Sequence, residues 1–139
     1  MGKPTLIENF VAEATVSPYR IVKAGSTDDK VLQAAANTDA LFGVSNNLGG
    51  DLGKRCDIIT SGVADVEYGG AVTRGDFLTA DANGEAISVT RHTHTENTAA
   101  AYTQNATTQA GSGVRVIGVA RVSGVAGDIG SVQIAPAFA

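Results

Sequence analysis

The residues best placed to do chemistry fall into several short groupings. Gly49-Gly-Asp-Leu-Gly-Lys-Arg55 gathers glycines and a lysine in the manner of a loop that cradles the β- and γ-phosphates of a nucleotide. The spacing from Gly49 to the Gly53-Lys54 pair is one residue short, and Arg55 stands where a magnesium-binding hydroxyl is required. An apolar, strand-like run follows where a helix N-terminus should face the phosphates, so the segment reads as a glycine-rich loop between strands. Arg91-His-Thr-His94 sets two imidazoles on one side of an extended chain, but no third and fourth ligand accompanies them, and a solvated pair is expected instead of a zinc site. Cys56 heads an apolar run with no neighbouring histidine, which favours a buried thiol over a nucleophile. Asp81-Ala-Asn-Gly84 imitates part of a calcium loop without the downstream bidentate glutamate. Arg74-Gly-Asp76 is a cell-adhesion tripeptide that also reads as a Gly-Asp turn, and the sequon Asn105-Ala-Thr107 has meaning only in a secreted chain. No serine, histidine and aspartate ordering, paired carboxylates or cofactor fingerprint emerges, so the expectation is a protein that is not an enzyme and uses neither cofactor nor metal.

Composition narrows the remaining classes. The chain has 139 residues, 43% of them hydrophobic, which suits one domain spanning 1–139 with its own core. Its formal net charge of −4 is a poor match to a phosphate backbone, so no nucleic acid partner is expected. Aromatic residues make up 5% and tryptophan is absent, which weakens a sugar platform built from exposed rings. One cysteine excludes an internal disulfide framework. Met-Gly-Lys-Pro-Thr-Leu lacks the apolar core of a secretion signal, Leu6 stands where a myristoylation motif needs Ser or Thr, and no apolar run approaches a membrane span. No membrane partner is expected.

Most apolar residues occur in short Val- and Ile-rich runs separated by Gly, Asp or Asn, the pattern of an all-β protein. Strands are expected at Tyr19–Lys23, Leu41–Ser45, Cys56–Thr60, Val63–Tyr68, Asp76–Thr79, Glu85–Thr90, Val114–Val122 and Ile129–Ile134. Asn83-Gly84 between two such runs predicts a tight hairpin with a primed turn. One segment breaks the pattern: Ser26-Thr-Asp-Asp-Lys-Val-Leu-Gln-Ala-Ala-Ala36 begins with capping residues and continues with helix formers, which predicts a short helix from Asp28 to Asn37. From Thr90 to Gly113 the chain carries no Val, Ile, Leu or Phe, and this stretch reads as a polar surface insertion with Tyr102 as its bulky anchor. A faint internal echo links Leu41-Phe-Gly-Val44, Gly50-Asp-Leu-Gly53 and Asp57-Ile-Ile59 to Val116-Ile-Gly-Val119, Gly127-Asp-Ile-Gly130 and Val132-Gln-Ile134, and reads most economically as two similar hairpins.

Several of these segments carry a family resemblance. An apolar strand with Phe10, then Tyr19-Arg-Ile-Val22, Leu41-Phe-Gly-Val-Ser45, Ser61-Gly-Val-Ala64, Val72-Thr-Arg-Gly-Asp76, Leu78-Thr-Ala-Asp-Ala-Asn-Gly84 and Gly118-Val-Ala120 to Gly127-Asp128 together resemble the capsid decoration, or cement, proteins of tailed bacteriophages, a family sometimes mislabelled as a phage recombinase. The resemblance implies a single β-barrel-like domain of the tulip type, a homotrimer seated on the outer capsid surface of the virion, and synthesis in the bacterial host cytoplasm. It implies the major capsid protein as partner and stabilisation of contacts between capsid subunits as the task. It marks fold positions instead of active residues, with Gly43, Gly50, Asp51, Gly75, Asp76, Asn83, Gly84, Gly118, Gly127 and Asp128 as fold-defining turns.

Two segments are expected to make the contacts. A short N-terminal arm (1–7), extended around Pro4 and carrying Lys3, Thr5 and Leu6, would reach onto the capsid. The insertion (90–113), with His92, His94 and Tyr102, would cover a neighbour or the shell. The competing reading is a non-enzymatic small-ligand or glycan-binding β module of a fibre or adhesin, with Arg74-Gly-Asp76 or His92 and His94 as its handles.

Overall fold

In a computed structural model of the chain, residues 3–89 and 114–138 are described. They form β1 (Pro4–Ala12), β2 (Ile21–Ala24), β3 (Lys30–Gln33), β4 (Leu41–Ser45), β5 (Arg55–Glu67), β6 (Phe77–Ala80), β7 (Ala86–Ser88), β8 (Arg115–Ala120) and β9 (Ile129–Phe138). The expected all-β class holds, and Leu41–Ser45 is a strand with the expected bounds. All nine strands join one sheet of order β1-β3-β2-β4-β5-β9-β8-β6-β7, and β1 also pairs with β5. That extra pairing closes β1, β3, β2, β4 and the first half of β5 into a barrel.

The same plan is then repeated. The second half of β5 pairs with β9 antiparallel, β9 with β8, β8 with β6, and β6 with β7. A parallel bridge, Tyr68↔Ala86, returns to the start, as the parallel pair Ala12↔Val31 does in the first barrel. Register agrees strand by strand: Ile21↔Val44 and Val44↔Ile59 in the first barrel correspond to Phe77↔Val119 and Val119↔Gln133 in the second. Phe10↔Cys56 likewise corresponds to Val66↔Gly130. The echo in the sequence is thus larger than two hairpins; it is a five-strand unit used twice, with β5 shared.

The turns leading into β2, β5, β6 and β9 also match. Each follows an isolated bridge, Val16↔Gly50 in the first barrel and Val72↔Gly124 in the second. Each has a left-handed residue two positions before its strand: Tyr19 at φ 59°, Gly53 at 77°, Gly75 at 97° and Gly127 at 91°. Gly50 therefore corresponds to Gly124, and Gly53 to Gly127. Gly43 and Gly118, expected in turns, instead lie inside β4 and β8. They occupy equivalent buried positions, where a Cβ would collide with the carbonyl oxygens of Ile59 and Gln133, themselves equivalent. Glycine is required there because neighbouring backbone passes too close for any side chain.

The helix expected from Asp28 to Asn37 is absent. Residues 30–33 are β3, held between β1 and β2, with Val31 wholly buried in the first barrel. The Ser26–Asp29 segment is the tip of the β2–β3 hairpin, closed by Gly25 N–H donating to Lys30 O at 2.8 Å. Thr27 spends its hydroxyl on the Asp29 carboxylate and does not cap a helix. Burial of Val31 and two backbone ladders outweigh the modest helix propensity of the alanines that follow. Cys56–Thr60 and residues 63–67 of the expected Val63–Tyr68 strand are parts of one strand, β5, interrupted in sequence only by Gly62 (φ 90°), where Thr5 N lies against the position a Cβ would take. At Asp81–Glu85 only Gly84 has a positive φ, at 72°, so the hairpin carries a three-residue loop with a glycine bulge instead of a primed two-residue turn.

Two cores follow from two barrels. Phe10, Ala12, Val16, Val22, Val31, Cys56 and Ile58 fill the first. The second cluster runs through Val66, Tyr68, Val72, Leu78, Ala86 and Val132 and continues onto Ile21, Val44 and Ile59, the outer wall of the first barrel. Arg20 clamps this junction, reaching Glu67 at 2.9 Å, Glu85 at 3.5 Å and the carbonyl of Asn83 at 2.9 Å.

Candidate functional site

Residues 3–7 of the expected N-terminal arm do not hang free. Pro4, Leu6 and Ile7 lie in β1 opposite Gly62, Ser61 and Ile59, with register shifts at Leu6, and Val63 N–H donates to Lys3 O at 3.0 Å. Their side chains nevertheless point outward: Lys3, Pro4 and Thr5 are exposed, Leu6 is 47% exposed and Ile7 51%. Stitched backbone with bare apolar side chains describes a fixed ridge, which costs less entropy to dock than a loose tail.

Beside this ridge runs an open groove of about 380 Å³, lined by Pro4, Ile7, Tyr19, Asn46, Asn47 and Asp65 among others. Four elements position these residues: the second half of β5, the start of β1, the turn before β2 and the loop leaving β4. Ser45 ties the last two together. Its buried hydroxyl donates to Ser17 O at 2.7 Å and accepts from Arg20 N–H at 3.0 Å, filling the place of the direct bond that would close the turn. Tyr19 is the one non-glycine residue with positive φ among the described residues. Its backbone is held from both sides, with Glu67 N–H donating to Tyr19 O at 2.9 Å and Tyr19 N–H to Asn46 O at 3.2 Å. A tyrosine here costs about 1 kcal/mol against the glycine used at the three equivalent turns. In exchange it presents an aromatic ring at the groove, a side chain type enriched where proteins meet. Sequence reasoning missed Tyr19 because Ser17-Pro-Tyr-Arg20 contains no glycine; aligning it with Thr73-Arg-Gly-Asp76 would have exposed the substitution.

The other motifs are absorbed by the fold. Arg74-Gly75-Asp76 is a turn whose carboxylate accepts from Thr73 N–H at 2.9 Å and the Ser88 hydroxyl at 2.7 Å. Those hydrogen bonds hold the Asp76 carboxyl below its ordinary range. Val125-Ala-Gly127-Asp128 is the same turn, with Val125 N–H donating to the Asp128 carboxylate at 3.0 Å. Asp81 serves its hairpin by accepting from Asn83 and Glu85 N–H groups. Gly49–Arg55 leads into β5, with no helix N-terminus for a phosphate. Cys56 is buried, and that burial, aided by the Asp57 charge, raises its thiol pKa, the opposite of an activated nucleophile. Among the described residues no cluster of His, Cys, Asp and Glu could hold a metal ion. His92, His94 and Tyr102 lie outside the described residues, as does the rest of 90–113.

A comparison with known families says in what setting this surface belongs. The model of the phage cement protein family matches residues 3–117. The chain belongs to that family. It is a structural protein of phage virions, associated with the capsid. Among solved structures it is similar to the N base of head fiber gp8.5 of bacteriophage phi29, with a TM-score of 0.63 and 19% identity over 94% of this chain and 93% of that one. At that identity the likeness concerns the fold, and it extends across both barrels of the cement-family chain. No curated protein matches.

Proposed function

We propose that this chain binds the outer surface of a phage capsid as a homotrimer and stabilises contacts between major capsid subunits, without catalysis. The observation that carries the reading is the groove between the β1 ridge and Tyr19, where a fixed apolar edge meets an aromatic ring held in a costly conformation. Function is the usual reason for such strain to persist. A symmetric assembly multiplies modest contacts through effective concentration, so each groove needs only moderate affinity. Net charge of −4 keeps an exterior protein from capturing DNA.

The test is co-sedimentation of purified protein with expanded capsids lacking it. Leu6→Asp and Tyr19→Gly should each weaken binding at least tenfold, about 1.4 kcal/mol, while circular dichroism stays unchanged. Binding that survives both substitutions would place the attachment site elsewhere. Removing residues 2–7 is a poorer test, because it strips part of β1 from β5 and perturbs the first barrel as well.

A further inference from the structure

Within the chain, the outer wall of the first barrel closes the open end of the second. Ile21, Val44 and Ile59 on that wall share one buried cluster with Ala64, Ile117 and Ile134 at that end. At the rim, Arg20 meets Glu85 at 3.5 Å. Because the barrels share a register, every one of these positions has a counterpart that the internal contact leaves unused.

On the second barrel's wall, Phe77 and Val119 replace Ile21 and Val44. Ile21 is wholly buried, whereas Phe77 is 49% exposed. At the first barrel's open end, Phe42 replaces Ile117; it is 38% exposed, and the Phe10 ring meets it edge-on at 5.1 Å. One rim charge pair is exchanged: Asp76 precedes β6 as Arg20 precedes β2, and Lys30 opens β3 at the position where Glu85 precedes β7. The Arg20–Glu85 attraction thus has a counterpart of reversed sign, whereas Val11 stands where Glu67 makes the shorter pair with Arg20. Glu8 stands where the covered end has Ala64, which gives the bare end a more polar margin, as surfaces covered only on association have.

We propose that a second copy of this chain seats its Phe77 wall on the Phe10 and Phe42 end of the first, repeating between copies the contact that joins the barrels within one. Such an interface is head-to-tail, and it closes into a ring when the rotation between copies permits. The inference rests on the self-association in the reading above and is independent of capsid attachment.

The test uses the full chain carrying either Phe42→Cys or Phe77→Cys, each separately tagged and checked for unchanged circular dichroism and melting. Cys56 is buried and does not compete. The unsubstituted protein should scatter light as more than one chain. On mild oxidation the mixed variants should form a disulfide with each other, and neither variant should link to itself. An oligomer whose variants link to themselves, or link in no combination, overturns this surface while leaving self-association standing. A chain that remains single both free and on capsids removes self-association, and this inference with it.

Discussion

The two barrels follow one plan and fill it with different side chains. In the first, Ala12 and Cys56 share the space beneath Gly50, whose Cβ would meet Cys56 Cβ at 2.6 Å. In the second, the counterpart positions hold Tyr68 and Gly130 beneath Gly124. Gly130 leaves room for the phenol, whose hydroxyl donates to Val122 O at 2.8 Å. Two medium-small residues in one case and one large with one absent in the other reach similar packing, which is how interiors tolerate substitution when total volume is kept. What did not vary is the backbone constraint: Gly43 and Gly118 are the same glycine in both. Side-chain filling is negotiable within this unit, whereas close approach of strands is not.

The largest expected effect comes from emptying the second barrel. Tyr68→Ala should cost about 3–5 kcal/mol through lost burial, a cavity and an orphaned carbonyl, measured by chemical denaturation. Adding Gly130→Cys imports the first barrel's solution and should recover part of that loss, although Gly130→Cys alone collides with the ring. Complete non-recovery in a double-mutant cycle would show that the two interiors are not interchangeable.

Next come the paired glycines. Gly43→Ala and Gly118→Ala should each cost about 1–3 kcal/mol, because each methyl meets a fixed carbonyl. Similar losses support the equivalence, and a loss at only one site breaks it.

A smaller effect of opposite sign is expected at the turns. Tyr19→Gly relieves the left-handed tyrosine and should leave stability unchanged or raise it by up to about 1 kcal/mol in thermal melts, even as capsid binding falls.

The smallest effect concerns acid. Asp76 has a depressed pKa, so its contribution is present above the ordinary unfolded value of about 3.9 and fades as pH falls through the folded value. In the first barrel the corresponding Ser17 N–H is served by neutral Gln33 Oε1 at 2.9 Å. Amide exchange at acid pH should therefore rise at Thr73 before it rises at Ser17, and Asp76→Asn should abolish the difference.

Much of this architecture was legible in the residues. Val- and Ile-rich runs bounded by Gly and Asp marked most strands, because burial of alternate side chains leaves that imprint. β1 was visible through Phe10 but not in its closure onto β5, since long-range pairing leaves no local mark. Ser61-Gly62 looked like a break because glycine signals both turns and close approaches, and only the neighbouring Thr5 backbone distinguishes them. The helix failed because Lys30–Gln33 is ordered by two partners distant from its own propensity. The duplication was glimpsed at Leu41–Val44 and Val116–Val119 but mis-registered at Gly50. Few residues are shared beyond the glycines that backbone geometry demands.

Shared β5 also bears on how the chain is made. Residues 4–61 contain every strand of the first barrel, so during vectorial synthesis that unit can close while most of β6 to β9 is still untranslated. Until the second half arrives, Ile21, Val44 and Ile59 face water as an uncovered sticky wall. That interval is when a nascent chain is most open to capture by a chaperone or to coaggregation with a neighbour on the same message, and the wall becomes safe only once Ile117 and Ile134 emerge to cover it.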